Sequence, residues 1–436
     1  MHNNHNQPPV HPFTDVRLDV PPVEHLSNGI SIRVVNAGQD GVNRLSVFVR
    51  GGVLHEQKPM LAAFTALTAL EGTQTQSSQQ IAEKLDYYGA WKSAQAYDEW
   101  VEIAFSSLND NYQASLDVLC DCLTQPAFRV YDLAQLQRRH AASCAAALRQ
   151  VKYLASVKLR ELYYGASHPL AASPTPESIL DFKVDQLADF HQNHYCTANM
   201  AVVLAGQITD DIRRRTDDTL GRLLMPGKAT PAFDWSTFSQ PAGPQQLLVH
   251  LDDAVQSAIA IAIPAVKRGH PDYFKIRILA TVFGGYFGSR LMSNVREQKG
   301  YTYGINAFLA GREHDGFIGI NTECDVEHTH DVLAEICREM RRLREEPVAD
   351  VELQLVRQYM LGDLVKTLDT PFSVGSYVSS IITFGMYPEY FNDQVRDILA
   401  VTAADLLEMA RQYLREERMI TVIAGDCNRL RKYFNE

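Results

Sequence analysis

Two stretches of the chain, which begin at residues 187 and 406, share one pattern, and this repeat most strongly limits the fold. They read LADFHQNHYCTANMAVVLAGQ (187–207) and LLEMARQYLREERMITVIAGD (406–426). Each combines a helix-like segment, a tyrosine, a polar turn and an apolar strand that ends in Ala-Gly. A single repeat with so long a period indicates two copies of one unit rather than a solenoid.

The length of 436 residues also exceeds what one hydrophobic core usually holds. We predict homologous domains over 23–226 and 247–436, joined by a proline- and glycine-containing linker over 227–246. A flexible N-terminal arm is expected over 1–22. Strand-like and helix-like segments cluster within each copy. The pattern therefore predicts an α+β fold, in which each domain is a mostly antiparallel sheet with helices on one face.

Charge and composition exclude several classes of protein. The net charge of -11 argues against a nucleic-acid-binding protein, which would carry a basic surface. We expect no membrane segment, because no apolar run reaches the length that a bilayer requires, and the N-terminus has no leader pattern. The seven cysteines form an odd set without a CxxC pair, which indicates reduced thiols and a cytoplasmic protein.

The stretch over 284–308, GGYFGSRLMSNVREQKGYTYGINAF, is the strongest candidate for a functional element, and we call it the Arg/Tyr segment. It contains a glycine cluster followed by two polar side chains: Gly284, Gly285, Gly288, Arg296 and Tyr303. Glycines let a backbone approach another chain closely, which favours a contact loop. The alternatives are a plain surface turn, an ion pair of Arg296 with Glu297 or with a helix neighbour, and a strand tyrosine packed on the core.

The two copies, the Ala-Gly strand that ends each, and the run GGxxxSRLxxxxREQKGxxYG resemble the pitrilysin/insulinase family of zinc peptidases, in its compact two-domain class. The resemblance covers about residues 25–430. It implies two domains that close like a clam shell around a cavity. Active members carry an inverted motif, His-x-x-Glu-His, in which both histidines bind zinc and the glutamate is the general base; a later glutamate is the third ligand.

This sequence departs from that motif at the decisive positions. The three motif positions fall on Ala63, Ala66 and Leu67, which neither bind zinc nor accept a proton. The region of the third ligand, around Cys144, has no carboxylate. Where the family has an Asn-Ala pair on the strand that meets substrate, this chain has Ser93 and Ala94. We expect no metal and no cofactor in this chain.

The Arg/Tyr segment is nevertheless kept, and the resemblance implies a role for it. Some bacterial members work as heterodimers, in which one subunit carries zinc and the other carries the Arg/Tyr pair. The hypothesis is therefore a non-catalytic subunit: Arg296 and Tyr303 bind peptide and stabilise the transition state opposite the zinc of a partner that carries HxxEH. The chain has no catalytic residue by itself, and self-association stays open.

Two other functions remain open. One is a peptidase-like scaffold or binding protein with no proteolytic partner. The other is a hydrolase with a relocated metal or a cysteine nucleophile. The residues that could serve as metal ligands or as the nucleophile of such a hydrolase are better explained by core packing or by exposure to solvent. They are Cys144, Cys196 beside His194, His191 with His194, His328 with His330, and His55.

Overall fold

The computed structural model describes residues 16–434, with side chains described through residue 432. Within that range, strands and helices cluster in two units, the first built on strands β1–β6 and the second on β7–β11. The strands are β1 (Glu24–His25), β2 (Ser31–Asn36), β3 (Val42–Arg50), β4 (Trp91–Ala96), β5 (Trp100–Leu108), β6 (Met200–Gly206), β7 (Gln245–His250), β8 (Gln256–Pro264), β9 (Thr302–Gly311), β10 (Gly316–Asp325) and β11 (Ile420–Gly425).

Helices make up about half of the structure. Those of the first unit are α1 (Leu61–Ala69), α2 (Ser78–Tyr87), α3 (Tyr112–Thr124), α4 (Val130–Ala147), α5 (Val151–Tyr164), α6 (Pro176–Leu180), α7 (Val184–His194) and α8 (Asp210–Thr219). Those of the second unit are α9 (Tyr273–Ala280), α10 (Thr329–Glu345), α11 (Asp350–Lys366), α12 (Pro371–Thr383), α13 (Tyr390–Ala400), α14 (Ala403–Tyr413) and α15 (Cys427–Phe434). Every helix of residues 16–434 is too short or too polar to cross a membrane.

Apart from the two-residue strand β1, the two sheets have the same strand order, which confirms the α+β fold of two similar units. The first sheet has the strand order β1-β2-β6-β3-β5-β4, and the second has β7-β11-β8-β10-β9. In each, the repeated Ala-Gly strand, β6 or β11, lies between a parallel and an antiparallel neighbour. The sheets are therefore mixed, although most strand pairs are antiparallel. Strands β4 and β9 are corresponding edge strands.

Apolar β-branched runs place these strands in the core. All seven residues of β6 and all six of β11 are buried, as expected for strands covered on both faces. One face of each sheet packs against helices of its own unit, where the two largest apolar clusters lie.

The other face of each sheet is covered by a helix of the opposite unit. Helix α5 of the first unit packs on β8 and β11, and helix α12 of the second packs on β6 and β2. The approach of α12 is so close that a methyl group on Gly375 would lie 2.6 Å from the Cβ of Ala205. The sequence did not predict this exchange of α5 and α12 between the units, which adds a cover to the other face of each sheet. The exchange joins the units through apolar contacts.

The ends of the units differ from the predicted boundaries. Residues 1–15 of the predicted arm lie outside the described residues. Val16 and Leu18, however, are buried in the core of the second unit, and Leu18 exchanges two hydrogen bonds of 3.0 Å with the Asn392 amide. A flexible arm is therefore wrong for this part. Phe233, Trp235 and Phe238 of the predicted linker pack into the apolar cluster between the units.

Candidate functional site

Gly284 and Gly285 end a π-helical turn over Thr281–Gly285, and Gly288 lies between this turn and a second one over Met292–Gln298. Gly284 is buried in the first turn, where a methyl group would lie 2.5 Å from the backbone nitrogen of Ala307 on β9. Gly285 and Gly288 are exposed. The predicted glycine loop is thus partly helical, and Gly284 is required for close packing on β9. Single π-helical turns occur frequently at functional sites.

Arg296 lies in the second π-helical turn and is partly buried. Its guanidinium carbon lies 4.7 Å from the centre of the Phe287 ring, in a cation–π contact. The ring, rather than the carboxylate of Glu297, is the contact that holds this side chain. The guanidinium therefore remains available for a hydrogen-bond acceptor.

Tyr303 lies on edge strand β9 with 92% of its surface exposed. The alternative of a strand tyrosine packed on the core is therefore wrong. The register of β9 against β10 shifts at this residue: Thr302 pairs with Cys324 and Ile305 with Thr322. Two residues of β9 thus oppose one of β10, which is a β-bulge. Bulges re-aim side chains and occur next to active sites.

Two threonine hydroxyls hold the bulge in place. The Thr302 hydroxyl donates to the carbonyl oxygen of Glu323 (2.6 Å) and accepts from the Gly304 N–H (3.0 Å). The Thr322 hydroxyl donates to the carbonyl oxygen of Gly304 (2.9 Å). Both threonines are buried. The backbone that presents Tyr303 is therefore rigid, although the side chain itself is exposed.

Tyr303 borders a cavity of about 440 Å³ whose lining includes residues that sequence reasoning missed. Glu323 comes from β10, Gln256 from β8, and Lys152 from the first turn of α5 in the other unit. No signal in the sequence predicts Lys152, because its position depends on the exchange of α5 between the units. The cavity combines a cation, a carboxylate and a phenol, which suits a polar polymer such as a peptide.

The zinc-motif positions lie together on α1, but they offer only hydrocarbon. Ala66 is fully buried, whereas Ala63 and Leu67 are partly buried, with Leu67 against the core. On α4, the buried Cys144 thiol donates to the carbonyl oxygen of Pro174 (3.4 Å), and burial raises its pKa. Among residues 16–434 no group of three or more His, Cys, Asp or Glu side chains is arranged to hold a metal ion. The residues present therefore do not fit zinc.

Ser93 and Ala94 lie on β4, the edge strand that corresponds to β9. Ser93 is exposed, and Ala94 packs against the core of the first unit. The structure thus puts the substrate-strand positions and the Arg/Tyr segment on edge strands of different sheets.

The histidines and cysteines of the alternative hydrolase have structural contacts. His191 donates to the carbonyl oxygen of Leu123 (2.9 Å) and stacks on Tyr195, and burial lowers its pKa to about 4. The Cys196 thiol donates to the Lys228 carbonyl oxygen (3.5 Å), while the His194 ring bonds to the Thr230 hydroxyl (3.0 Å).

Other candidate histidines are likewise engaged. The His55 ring lies 2.8 Å from a carboxylate oxygen of the buried Glu99. His328 stacks on Tyr301, with ring centres 4.5 Å apart. These contacts give no support to a second hydrolytic centre.

Comparisons with known proteins agree with this architecture. A family model described as "Insulinase (Peptidase family M16)" matches residues 34–162, and one described as "Peptidase M16 inactive domain" matches residues 181–360. The "Uncharacterized zinc protease YmxG" of Bacillus subtilis is 21% identical over 92% of this chain and 97% of that protein. The "Non-peptidase homolog YmxG" of Helicobacter pylori is 27% identical over 59% of this chain and 60% of that protein.

Among solved structures, a peptidase M16 inactive domain from Pseudomonas fluorescens superposes with a TM-score of 0.82 at 22% identity. The match covers 94% of this chain and 98% of that one. At this level of identity the likeness concerns the fold.

Proposed function

Because this chain belongs to the insulinase family of peptidases (peptidase family M16), we propose that it is the non-catalytic subunit of a heterodimeric zinc metalloendopeptidase. The matched models and relatives support a peptidase-like scaffold. Our proposal adds to this scaffold a zinc-carrying partner subunit and roles in peptide binding and catalysis for Arg296 and Tyr303.

The observation that carries the proposal is the presentation of Tyr303. A tyrosine with 92% of its surface exposed does little for the stability of this fold. Yet the bulge that holds it is fixed by hydrogen bonds from two buried threonines. A rigid backbone that exposes a phenol on an edge strand is suited to contact with another molecule, because the donor needs little reorganisation.

The chemistry of the two side chains suits stabilisation of a developing oxyanion. The Tyr303 hydroxyl donates one hydrogen bond, which is strongest where negative charge grows on the scissile carbonyl oxygen. Arg296 offers several donors and a permanent charge, which orient the peptide through its carbonyl oxygens. The nucleophile and the general base belong to the partner, a homologue that carries HxxEH and its zinc.

The face of α1 over Ala63, Ala66 and Leu67 then forms a wall rather than a site. The seven cysteines are free thiols, which supports the proposed cytoplasmic location. The partner is a second polypeptide of the same family, and the substrates are peptides.

The test is peptidase activity of the purified chain, alone and mixed with the HxxEH homologue encoded nearest to it, with metal content measured on both. We expect the mixture to cleave a fluorogenic peptide and the chain alone to be inert. Tyr303→Phe should lower kcat of the mixture by about 100- to 1,000-fold, the usual effect of losing one oxyanion donor. Arg296→Ala should lower kcat and raise KM.

Matched controls separate these effects from loss of structure. Tyr301→Phe removes a hydroxyl next to β9 from a ring that stacks on His328, and Arg396→Ala removes an exposed arginine of α13. Both should leave activity unchanged. If the chain alone binds stoichiometric zinc and cleaves peptide, the proposal is wrong; if no mixture is active, the scaffold function replaces it.

A further inference from the structure

A second cavity, of about 550 Å³, adjoins the cavity of Tyr303 and contains two arginines that the proposed function does not use. Asn306 lines both cavities. Four consecutive residues of β9, 306–309, form one wall. Because successive side chains of a strand point to opposite faces, this wall follows the free edge of β9 rather than one face. The other walls come from α9, α11, α12 and α13.

Arg268 is held in this cavity with donors to spare. Its Nη2 donates to the carbonyl oxygen of Gly311 (2.6 Å), at the end of β9, and its guanidinium carbon lies 5.1 Å from the centre of the Phe384 ring. Its Nε and Nη1 are buried and have no hydrogen-bond partner within the described chain. Unpaired buried donors on a charged group are costly unless a ligand or water accepts from them.

Tyr377 adds a third unsatisfied group to the same cavity. Its hydroxyl oxygen is buried and unpartnered within residues 16–434. Burial raises the pKa of Tyr377 well above that of a free phenol, although the charges of Arg277 and Arg268 oppose this shift. The hydroxyl therefore stays protonated near neutral pH and is available as a donor.

The charge of the two arginines is not neutralised by a carboxylate of the cavity. Asp363 lines the cavity but lies 3.2 Å from the Lys366 ammonium. For Arg268 and Arg277, no carboxylate of residues 16–434 lies within the 4.0 Å of an ion pair. Two arginines and four tyrosines, among them Tyr377, thus line a cavity whose other walls combine apolar side chains with uncharged polar ones and Asp363.

We propose that this cavity binds the C-terminal carboxylate of a peptide that lies along β9, with Arg268, Arg277 and Tyr377 as the recognising groups. This inference rests on the proposed function, because it takes the peptide from the Tyr303 cavity. Arginine and phenol donors match a carboxylate. A doubly charged phosphate is disfavoured because Asp363 also lines the site.

The length of β9 sets the reach of such a peptide. Arg268 is bonded to Gly311, which follows Tyr303 by 311 − 303 = 8 positions. A strand rises about 3.3 Å per residue, so this spacing is roughly 26 Å. The carboxylate would therefore be read several residues beyond the bond that Tyr303 contacts, which favours substrates whose C-terminus lies at that distance.

The test measures binding to the chain by itself, without zinc or partner. The probe is an equimolar library of dodecapeptides with N-terminal fluorescein, prepared once with a free C-terminal carboxylate and once with a C-terminal amide, and read by fluorescence anisotropy. We expect the acid library to bind about 10- to 100-fold more tightly than the amide library. Arg268→Gln and Arg277→Gln should each abolish the difference.

Several controls keep the result interpretable. Arg268→Gln loses the hydrogen bond to Gly311, which could lower the melting temperature. In that case Arg277→Gln alone tests the role of the cavity. Arg396→Gln and Tyr303→Phe should keep the preference for the acid. Equal binding of acid and amide, or a preference that survives both substitutions, overturns the inference. If the chain prefers the acid library but the heterodimer is inactive, only the proposed function is wrong.

Discussion

At the scale of single residues, the three positions predicted to correspond to the zinc motif carry apolar side chains in different environments. Ala66 is fully buried among apolar side chains of the first unit, whereas Ala63, one turn earlier on α1, is partly exposed. The two positions belong to one motif but lie in different environments. The sequence shows that these positions lack metal-binding side chains. The full burial of Ala66 shows that a longer side chain at this position would have no room.

This difference predicts the outcome of restoring a carboxylate. Ala66→Glu should lower the free energy of unfolding by about 3 kcal/mol or more, because it buries an unpaired ionisable group. Ala63→Glu, the control on the same helix, should lower it by about 1 kcal/mol or less. Urea denaturation of both variants checks this. Equal losses would show that this face of α1 is not a packed wall.

At the scale of elements, the bulge of β9 decides where Tyr303 points. The bulge arises from the pairing of β9 with β10 and from hydroxyl contacts between them. A register set across two strands is not encoded in the periodicity of either one.

The bulge can be loosened without changing side-chain volume. Thr302→Val removes the hydroxyl that bonds to Glu323 and Gly304, so stability should fall by about 1 to 2 kcal/mol. Amides of residues 303–305 should then exchange hydrogen for deuterium faster. Thr329→Val, at a buried threonine of α10 that bonds to Ser257, is the control. It should cost similar stability without changing exchange at 303–305; the same exchange in both variants would contradict the role given to Thr302.

At the scale of the whole molecule, the exchange of α5 and α12 makes the two units one body. Nothing in the sequence of either helix shows which sheet it packs on. The close approach of α12 to the first sheet is possible because residue 375 is a glycine. The same exchange brings Lys152 of the first unit to the cavity of Tyr303 in the second.

Overpacking this contact should separate the units. Gly375→Leu is expected to destabilise the chain by about 1 to 3 kcal/mol, because its Cβ meets Ala205 at 2.6 Å. Cleavage by trypsin within residues 222–244, between the two sheets, should become faster. Ser376→Leu, at the exposed neighbouring position, should change neither quantity. Similar behaviour of the two variants would mean that α12 does not hold the units together.

The sequence by itself determined the duplication, the α+β class and the lack of zinc-binding side chains at residues 63, 66 and 67. These depend on local periodicity and on the chemistry of single residues, which can be read along the chain. Only the tertiary structure decided that Val16 and Leu18 join the second core, that α5 and α12 change units, and that Arg268 and Tyr377 share a cavity with unmet donors. Those features depend on contacts between residues far apart in sequence, whose free energy is gained only when the whole chain is packed.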